Sequence, residues 1–380
     1  MKIIFSVTND LVYDQRMIRI CSSLSRAGYD VELVGRRRRN SPPLSGMPYR
    51  QTRLFCFFEK GKPFYLEYNL RLLLYLCFRR FDAICAIDLD TILPCLWASR
   101  LHRKPCVYDA HEYFTEVPEV VRRPKIRRIW EKVASYAIPR MKSCYTVGDG
   151  LAALLSERYG IPFVSIRNVP EVVPLNTSVA AKPPEPAYSD MPKIILYQGA
   201  LNEGRGLEAA IESMPSLKGV ELWLAGEGDL SAMLREKVNH LGLSECVRFL
   251  GFVLPRDLPA LTAKAWIGLN LLENKGLSYY YSLANKAFDY IQAGLPSIQM
   301  DFPEYRHLNE AWQVFELLGD LEKESLQKAI LHLLEDKAHH RKLQENCRIA
   351  AATLNWGQEE QKLLDVYRVL FSSHSSRANL

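Results

Sequence analysis

A chain of 380 residues exceeds what one compact core of ordinary size accommodates, so two domains are expected. Hydrophobic residues make up 48% and charged residues 24%, the balance of a folded globular protein and not of a disordered one. No apolar run is long enough to span a bilayer: the best, Leu72 to Phe78, is short and flanked by Arg71, Arg79 and Arg80.

The net charge of +6 hides an asymmetry: residues 1–175 carry 28 Lys/Arg against 17 Asp/Glu, whereas residues 176–380 carry 21 against 26. The basic clusters are Arg36-Arg37-Arg38-Arg39, Arg79-Arg80, Arg103-Lys104 and the run from Arg122 to Arg128. They suit an anionic membrane face or a pyrophosphate-bearing substrate, and equally solvated helix faces; no nucleic-acid module surrounds them, so no nucleic-acid partner is expected. The nine cysteines are scattered and form no C-x-x-C, which reads as reduced core thiols in a cytoplasmic protein.

From the N-terminus, Ile3–Val7 reads as a first strand and not as a signal peptide. It is followed by an amphipathic helix over Gln15–Ala27, a strand at Val31–Val34, a strand at Ala83–Ile87, a helix over Thr91–Leu101 and a strand at Cys106–Tyr108. This is the βαβ rhythm of a doubly wound parallel sheet. The stretch 171–192, with five prolines, cannot be regular structure and is expected to be a linker between domains 1–170 and 193–356. The rhythm then restarts: strands at Lys193–Tyr197, Val220–Ala225, Val247–Phe249, Ile267–Leu271 and Ser297–Met300 alternate with helices. A last helix, about 357–380, is expected to pack back on the first domain.

Several segments carry candidate chemistry. In SYYYSLANKAFDYIQAGLPSI, the apolar residues Ala287, Phe288 and Ile291 mark one helix face, and Gly294 with Pro296 ends the helix. Its N-terminus, beside the Lys286 ammonium, suits a phosphate; Asp289, one turn on, can accept two hydrogen bonds from a ribose diol. The same letters also fit an Asn285 cap, a solvated lysine and a carboxylate complementing the helix dipole. In YQGALNEGRG, glycines 199, 204 and 206 admit close backbone approach and Arg205 offers a bidentate fork for a diphosphate. The order is neither a dinucleotide fingerprint nor a Walker loop. LAGEGDL places Gly226 and Gly228 at a strand end, where a flat base could lie on backbone, and Gly251-Phe252 ends the next strand similarly. His111, in Tyr108-Asp109-Ala110-His111-Glu112, follows a strand directly, at the edge where such sheets hold ligands. Asp88-Leu89-Asp90 has the look of a metal-holding D-x-D, but Asp90-Thr91 reads as a helix N-cap, and no His/Cys cluster has transition-metal spacing. No metal and no cofactor is expected.

Together, YQGAL…GRGL, LAGEGD, VRFLGFVLPRDLPAL and NKAFDYIQAGLPSI resemble the donor-binding half of glycosyltransferase family 4, whose GT-B fold sets two Rossmann-like domains facing across a cleft. TNDLVYDQRMIRICSSLSRAGYDVELVG, VYDAHEYF and TVGDGLAALLSERYG…IRNVP resemble its N-terminal half, so the likeness runs over essentially the whole chain. The resemblance implies retaining transfer of a sugar from a nucleoside diphosphate sugar, without metal. The basic N-terminal half adds the expectation of a glycan or lipid-linked acceptor, with peripheral contact to an anionic inner membrane face. By position, Arg205 and Lys286 would neutralise the departing diphosphate and His111 would contact the donor sugar. Gly199, Ala200, Gly226, Gly228, Phe252, Tyr281, Asn285 and Asp289 would line the donor site, while Asn9, Asp10 and Arg16 would face phosphate or acceptor.

Two letters depart from the family pattern. Ala200 stands where an arginine is common, and Tyr281 where the first of two glutamates is expected. A nucleotide-sugar epimerase or hydrolase of the same fold, or a non-catalytic nucleotide-sugar-binding partner, are the alternative readings. In a further segment Phe64, Tyr65, Tyr68, Leu72, Leu73 and Leu76 interleave with Arg71, Arg79 and Arg80, which suits an interfacial helix and equally a core one.

Overall fold

The computed structural model describes residues 1–12, 14–44, 46–171 and 192–375, with side chains as far as residue 372. The proline-rich stretch expected to be a linker, 171–192, lies outside the described residues except at its two ends. The chain divides into two compact units: residues 1–168 with 276–278 and 358 onward, and residues 169–275 with 279–357.

The first unit is built on seven strands, β1 (Lys2–Ser6), β2 (Asp30–Arg37), β3 (Arg50–Phe55), β4 (Ala83–Ile87), β5 (Cys106–Ala110), β6 (Ser143–Thr146) and β7 (Phe163–Ser165). They pair in parallel in the order β3-β2-β1-β4-β5-β6-β7. Every residue of β4 and β5 is buried. Helices on both faces of a parallel sheet demand such continuous apolar runs, so these strands do not alternate in polarity. The helix Trp356–Ser375 contributes Leu363, Tyr367, Leu370 and Phe371 to this unit's core, with Tyr367 against Phe5 and Tyr145.

The second unit carries β8 (Lys193–Gln198), β9 (Val220–Ala225), β10 (Val247–Gly251), β11 (Ile267–Asn270), β12 (Ser297–Met300) and β13 (Phe315–Leu318), all parallel in the order β10-β9-β8-β11-β12-β13. In both sheets the strand order reverses direction, between β1 and β4 and between β8 and β11. Doubly wound sheets bind ligands outside the strand ends at such a switch point.

The helix Gly61–Cys77 decides between the two readings of its apolar residues. Phe64, Tyr68, Leu72 and Leu76, four of the six, form its buried row. A different row, Leu66, Leu70, Leu74 and Phe78, is exposed, with Phe78 at 87%. Among the described residues, no helix is long and apolar enough to cross a membrane.

Candidate active site

In the second unit, the site is assembled on the ends of β8, β9 and β11. The helix Asn285–Gln292 turns Ala287, Phe288, Tyr290 and Ile291 into the core, all fully buried. Tyr290 pins it to the switch point, donating its hydroxyl toward the carbonyls of Leu196 on β8 at 3.1 Å and Leu269 on β11 at 3.2 Å. A side chain at Gly268 would stand 2.6 Å from the Tyr290 ring, so that glycine makes the seat. The helix is not capped by Asn285, as the sequence suggests. Ala284 is the cap residue, in extended geometry, and its N–H donates to the Tyr305 hydroxyl at 3.0 Å. Asn285 itself is exposed.

This anchoring places Lys286 and Asp289 at the strand ends. Lys286 is buried, its ammonium 3.7 Å from the centre of the Tyr197 ring. Burial pushes its pKa well below the ordinary lysine range, Arg205 adds repulsion, and Asp289 offsets only part of this. Arg205 lies over the Tyr279 ring at 5.0 Å, and its Nε is buried with no hydrogen-bond partner. An orphaned guanidinium donor next to a destabilised ammonium is an arrangement that an anion would satisfy. Asp289 accepts from the Gln198 amide at 2.8 Å, and Gln198 in turn accepts from the Thr262 hydroxyl at 2.8 Å. That relay orients the carboxylate. It was not visible in the sequence, although Gln198 stands directly before the glycine loop.

Gly199 brings backbone close to the ammonium: a Cβ there would lie 3.4 Å from Lys286 Nζ. Ala200 follows, its carbonyl accepting from the Tyr197 hydroxyl at 2.8 Å. Gly226, at φ +149°, leaves room for no side chain, since a Cβ would meet the Gly199 carbonyl at 1.9 Å. Gly228 is packed against Leu201 and Asn202 in the same way. These two glycines lock the ends of β8 and β9 together and leave a flat backbone surface. Phe252, after β10, is 62% exposed, and Tyr281 is half-buried in the loop before the helix, edge-on to Tyr280 at 5.3 Å.

The first unit gathers acid and base groups at the ends of β1, β4 and β5. His111, just past β5, approaches Asp109 with Nε2 at 3.1 Å of a carboxylate oxygen, and its backbone N–H donates to Asp88 at 2.9 Å. Burial alone would lower the imidazole's pKa, but the charge and hydrogen bond of Asp109, with Asp88, raise it to about 9. His111 is therefore an imidazolium at neutral pH. Asp90 is pushed up to about 6 by burial, partly offset by a 2.6 Å hydrogen bond from the Thr8 hydroxyl. It is not the N-cap that the sequence suggests: Thr91 occupies that position, its own hydroxyl turned back to the Ile87 carbonyl.

Arg16 also departs from expectation. Its guanidinium is buried, grips both oxygens of Asp109 at 2.8 and 3.1 Å, and donates to the Ile166 carbonyl at 2.7 Å. Its donors are committed inside the fold, so it braces β5 and does not face a phosphate. Asn9 knits its own loop, donating to Asp14 at 2.7 Å and accepting from the Leu11 N–H at 2.9 Å. Asp10 is half-buried beside it, its carbonyl held by Arg53 at 2.9 Å.

Comparison with known proteins bears on the family and the fold. Residues 15–176 match the family model described as Glycosyltransferase Family 4, and residues 192–336 match that described as Glycosyl transferases group 1. Among curated proteins no significant match is found. Among solved structures, sucrose-phosphate synthase from Thermosynechococcus elongatus is similar over 98% of this chain and 100% of its own, at 18% identity and a TM-score of 0.77. HepE from Anabaena, in complex with UDP and glucose, is similar over 97% and 99%, at 15% identity and a TM-score of 0.73. WaaG, a glycosyltransferase involved in lipopolysaccharide biosynthesis, is similar over 96% and 99%, at 17% identity and a TM-score of 0.72. These likenesses give the GT-B fold, and the two family matches, one in each half and in sequence order, give the family: the chain belongs to the family 4-type glycosyltransferases.

Proposed function

We propose that the protein transfers a sugar with retention, and without a metal ion in the transfer step, from a nucleoside diphosphate sugar to a hydroxyl of a glycan or lipid-linked acceptor. The role is assembly of cell-surface polysaccharide or glycolipid at an anionic inner membrane face. The observation that carries the donor half of this reading is the orphaned Arg205 Nε beside the depressed Lys286 ammonium. As the bond from sugar C1 to the diphosphate breaks, the added negative charge falls between two fixed cations, the part a divalent ion would otherwise play. The diphosphate restores the Lys286 proton that burial disfavours, so binding and protonation reinforce each other. Asp289, oriented by Gln198, takes the ribose hydroxyls, while Gly226, Gly228 and Phe252 offer the base a flat surface. HepE, of the same fold, holds UDP and glucose. The His111 imidazolium is assigned to the donor sugar, its ring held by Asp109.

Each well-placed donor to a developing anion contributes about 3–4 kcal/mol, so Arg205→Ala and Lys286→Ala are each expected to lower turnover roughly 100- to 1,000-fold. Steady-state transfer with the donor that most raises thermal stability, chosen among UDP-, GDP- and ADP-sugars, measures this. Near-full activity in both variants would remove the diphosphate assignment. The membrane half of the proposal rests on the exposed row Leu66, Leu70, Leu74 and Phe78, bordered by exposed Lys62, Arg79 and Arg80.

A further inference from the structure

A second cluster of polar side chains lies in the second unit, on residues that take no part in the donor site. β13 supplies Glu316; the helix Lys323–Glu335 supplies His332 in its last turn; the helix Lys337–Ala351, which begins after the single residue Asp336, supplies His339. The backbone fixes this corner. The Asp336 N–H donates to the His332 carbonyl at 3.0 Å, and the Asp336 side chain accepts from the His339 N–H at 2.9 Å, ending one helix and starting the next. The two imidazole rings stack with centroids 4.4 Å apart and planes 13° from parallel. Both turn a nitrogen to Glu316: His332 Nδ1 lies 3.2 Å from one carboxylate oxygen and His339 Nε2 2.9 Å from the other.

The other ring nitrogen of His332, Nε2, lies 3.9 Å from a carboxylate oxygen of Asp336, beyond hydrogen-bond range. Both rings turn a nitrogen to the one carboxylate of Glu316, and a divalent ion fits among the three. It accepts lone pairs from His332 Nδ1 and His339 Nε2, neutralises Glu316, and leaves His332 Nε2–H free to point at Asp336, the carboxylate–imidazole–metal pattern that fixes a ligand's tautomer. Two imidazoles and one carboxylate are a transition-metal donor set, with a fourth position open to water. One ligand atom from each of Glu316, His332 and His339 falls within 4.8 Å of the others. In a tetrahedral zinc site, ligand atoms are about 3.4 Å apart, so ligation draws the three side chains together and turns the two rings out of their parallel stack until each in-plane lone pair meets the ion.

We propose that Glu316, His332 and His339 form a binding site for a divalent transition-metal ion of the zinc type, with Asp336 orienting His332. The ion clips the edge strand β13 to the turn between the two helices. Its role is to stabilise the second unit, not to take part in transfer.

The experiment uses the full chain, free of affinity tags and treated with chelator. Zn2+ is titrated by calorimetry, and Co2+ serves as a spectroscopic probe of geometry. One Zn2+ per chain is expected, with Co2+ giving the visible bands of tetrahedral nitrogen and oxygen ligation. The paired variant His332→Gln/His339→Gln, and separately Glu316→Gln, are expected to weaken binding roughly 100-fold or more while circular dichroism is unchanged. Zn2+ is also expected to raise the melting temperature of the wild type and not of the paired variant, and transfer is expected to run at the same rate with chelator present. No binding down to a Kd of about 100 µM overturns the proposal. So does equal affinity in the paired variant, which would assign the ion to cysteines.

Discussion

Asp109 receives two cations with opposite duties. Arg16 holds it from inside the fold, and His111 reaches it from the rim. Because the carboxylate is fully buried and its pKa stays low, its charge is available to hold the imidazole protonated. The folded-state pKa of His111 is raised to about 9, above its unfolded value of about 6.5. The stability this supplies is fully present below about pH 6.5 and is lost as pH rises through about 9, up to about 3 kcal/mol in all. Urea midpoints of the wild type and His111→Gln, compared between pH 6.5 and 9.5, measure it. The variant is expected to lack this component of the slope. Lys286, whose pKa is lowered, contributes a slope of the opposite sign, so the difference between the two proteins is the relevant quantity. An unchanged difference across that range would show that His111 is not held as an imidazolium. The Arg16 brace was not legible in the sequence because its partner is 93 residues away. The phosphate or acceptor role expected of Arg16 came from the family resemblance, which carries positions over but not the partners they fold against.

At the scale of elements, legibility followed the contrast between apolar and polar positions. The helix Asn285–Gln292 shows one apolar face ended by glycine and proline, so its position and its buried stripe could be read directly. The glycine turns after β8 and β9 could be read for a similar reason, since each sits at a strand end. The helix Gly61–Cys77 offers no such contrast. Two rows at four-residue spacing, Phe64-Tyr68-Leu72-Leu76 and Leu66-Leu70-Leu74-Phe78, are equally apolar, and only tertiary packing decides which is core. Substituting the exposed row, as Leu66→Glu/Leu70→Glu/Leu74→Glu, is therefore expected to leave folding intact and to cut capture by anionic vesicles at least roughly ten-fold in flotation at low salt. Transfer to a soluble acceptor analogue is expected to be unaffected. Equal flotation of wild type and variant would show that this row does not meet lipid.

For the whole molecule, the alternation of strands and helices was enough to specify two parallel sheets, and the last helix was expected to pack back on the first domain. The first unit takes the residues from 358 onward into its core. Leu363, Tyr367, Leu370 and Phe371 are all buried there, and each large apolar side chain removed from water contributes about 1.5–3 kcal/mol. Their sum, about 6–12 kcal/mol, rivals the entire stability of a typical domain. A chain ending at Gly357 is expected to lose the first unit's transition in scanning calorimetry while keeping that of the second. Retention of both transitions would show that the helix is an accessory.

This division of the chain reverses an order usual in protein synthesis. Domains ordinarily fold as they leave the ribosome, the N-terminal one first. Here the first seven strands are made early, yet the helix that closes their core is translated only after the whole second unit. The later-made unit can complete its fold first. Until then the N-terminal sheet waits with the pocket around Phe5, Tyr29 and Tyr145 uncovered. That interval, and not the finished enzyme, is when the chain is most exposed to aggregation and to chaperone capture.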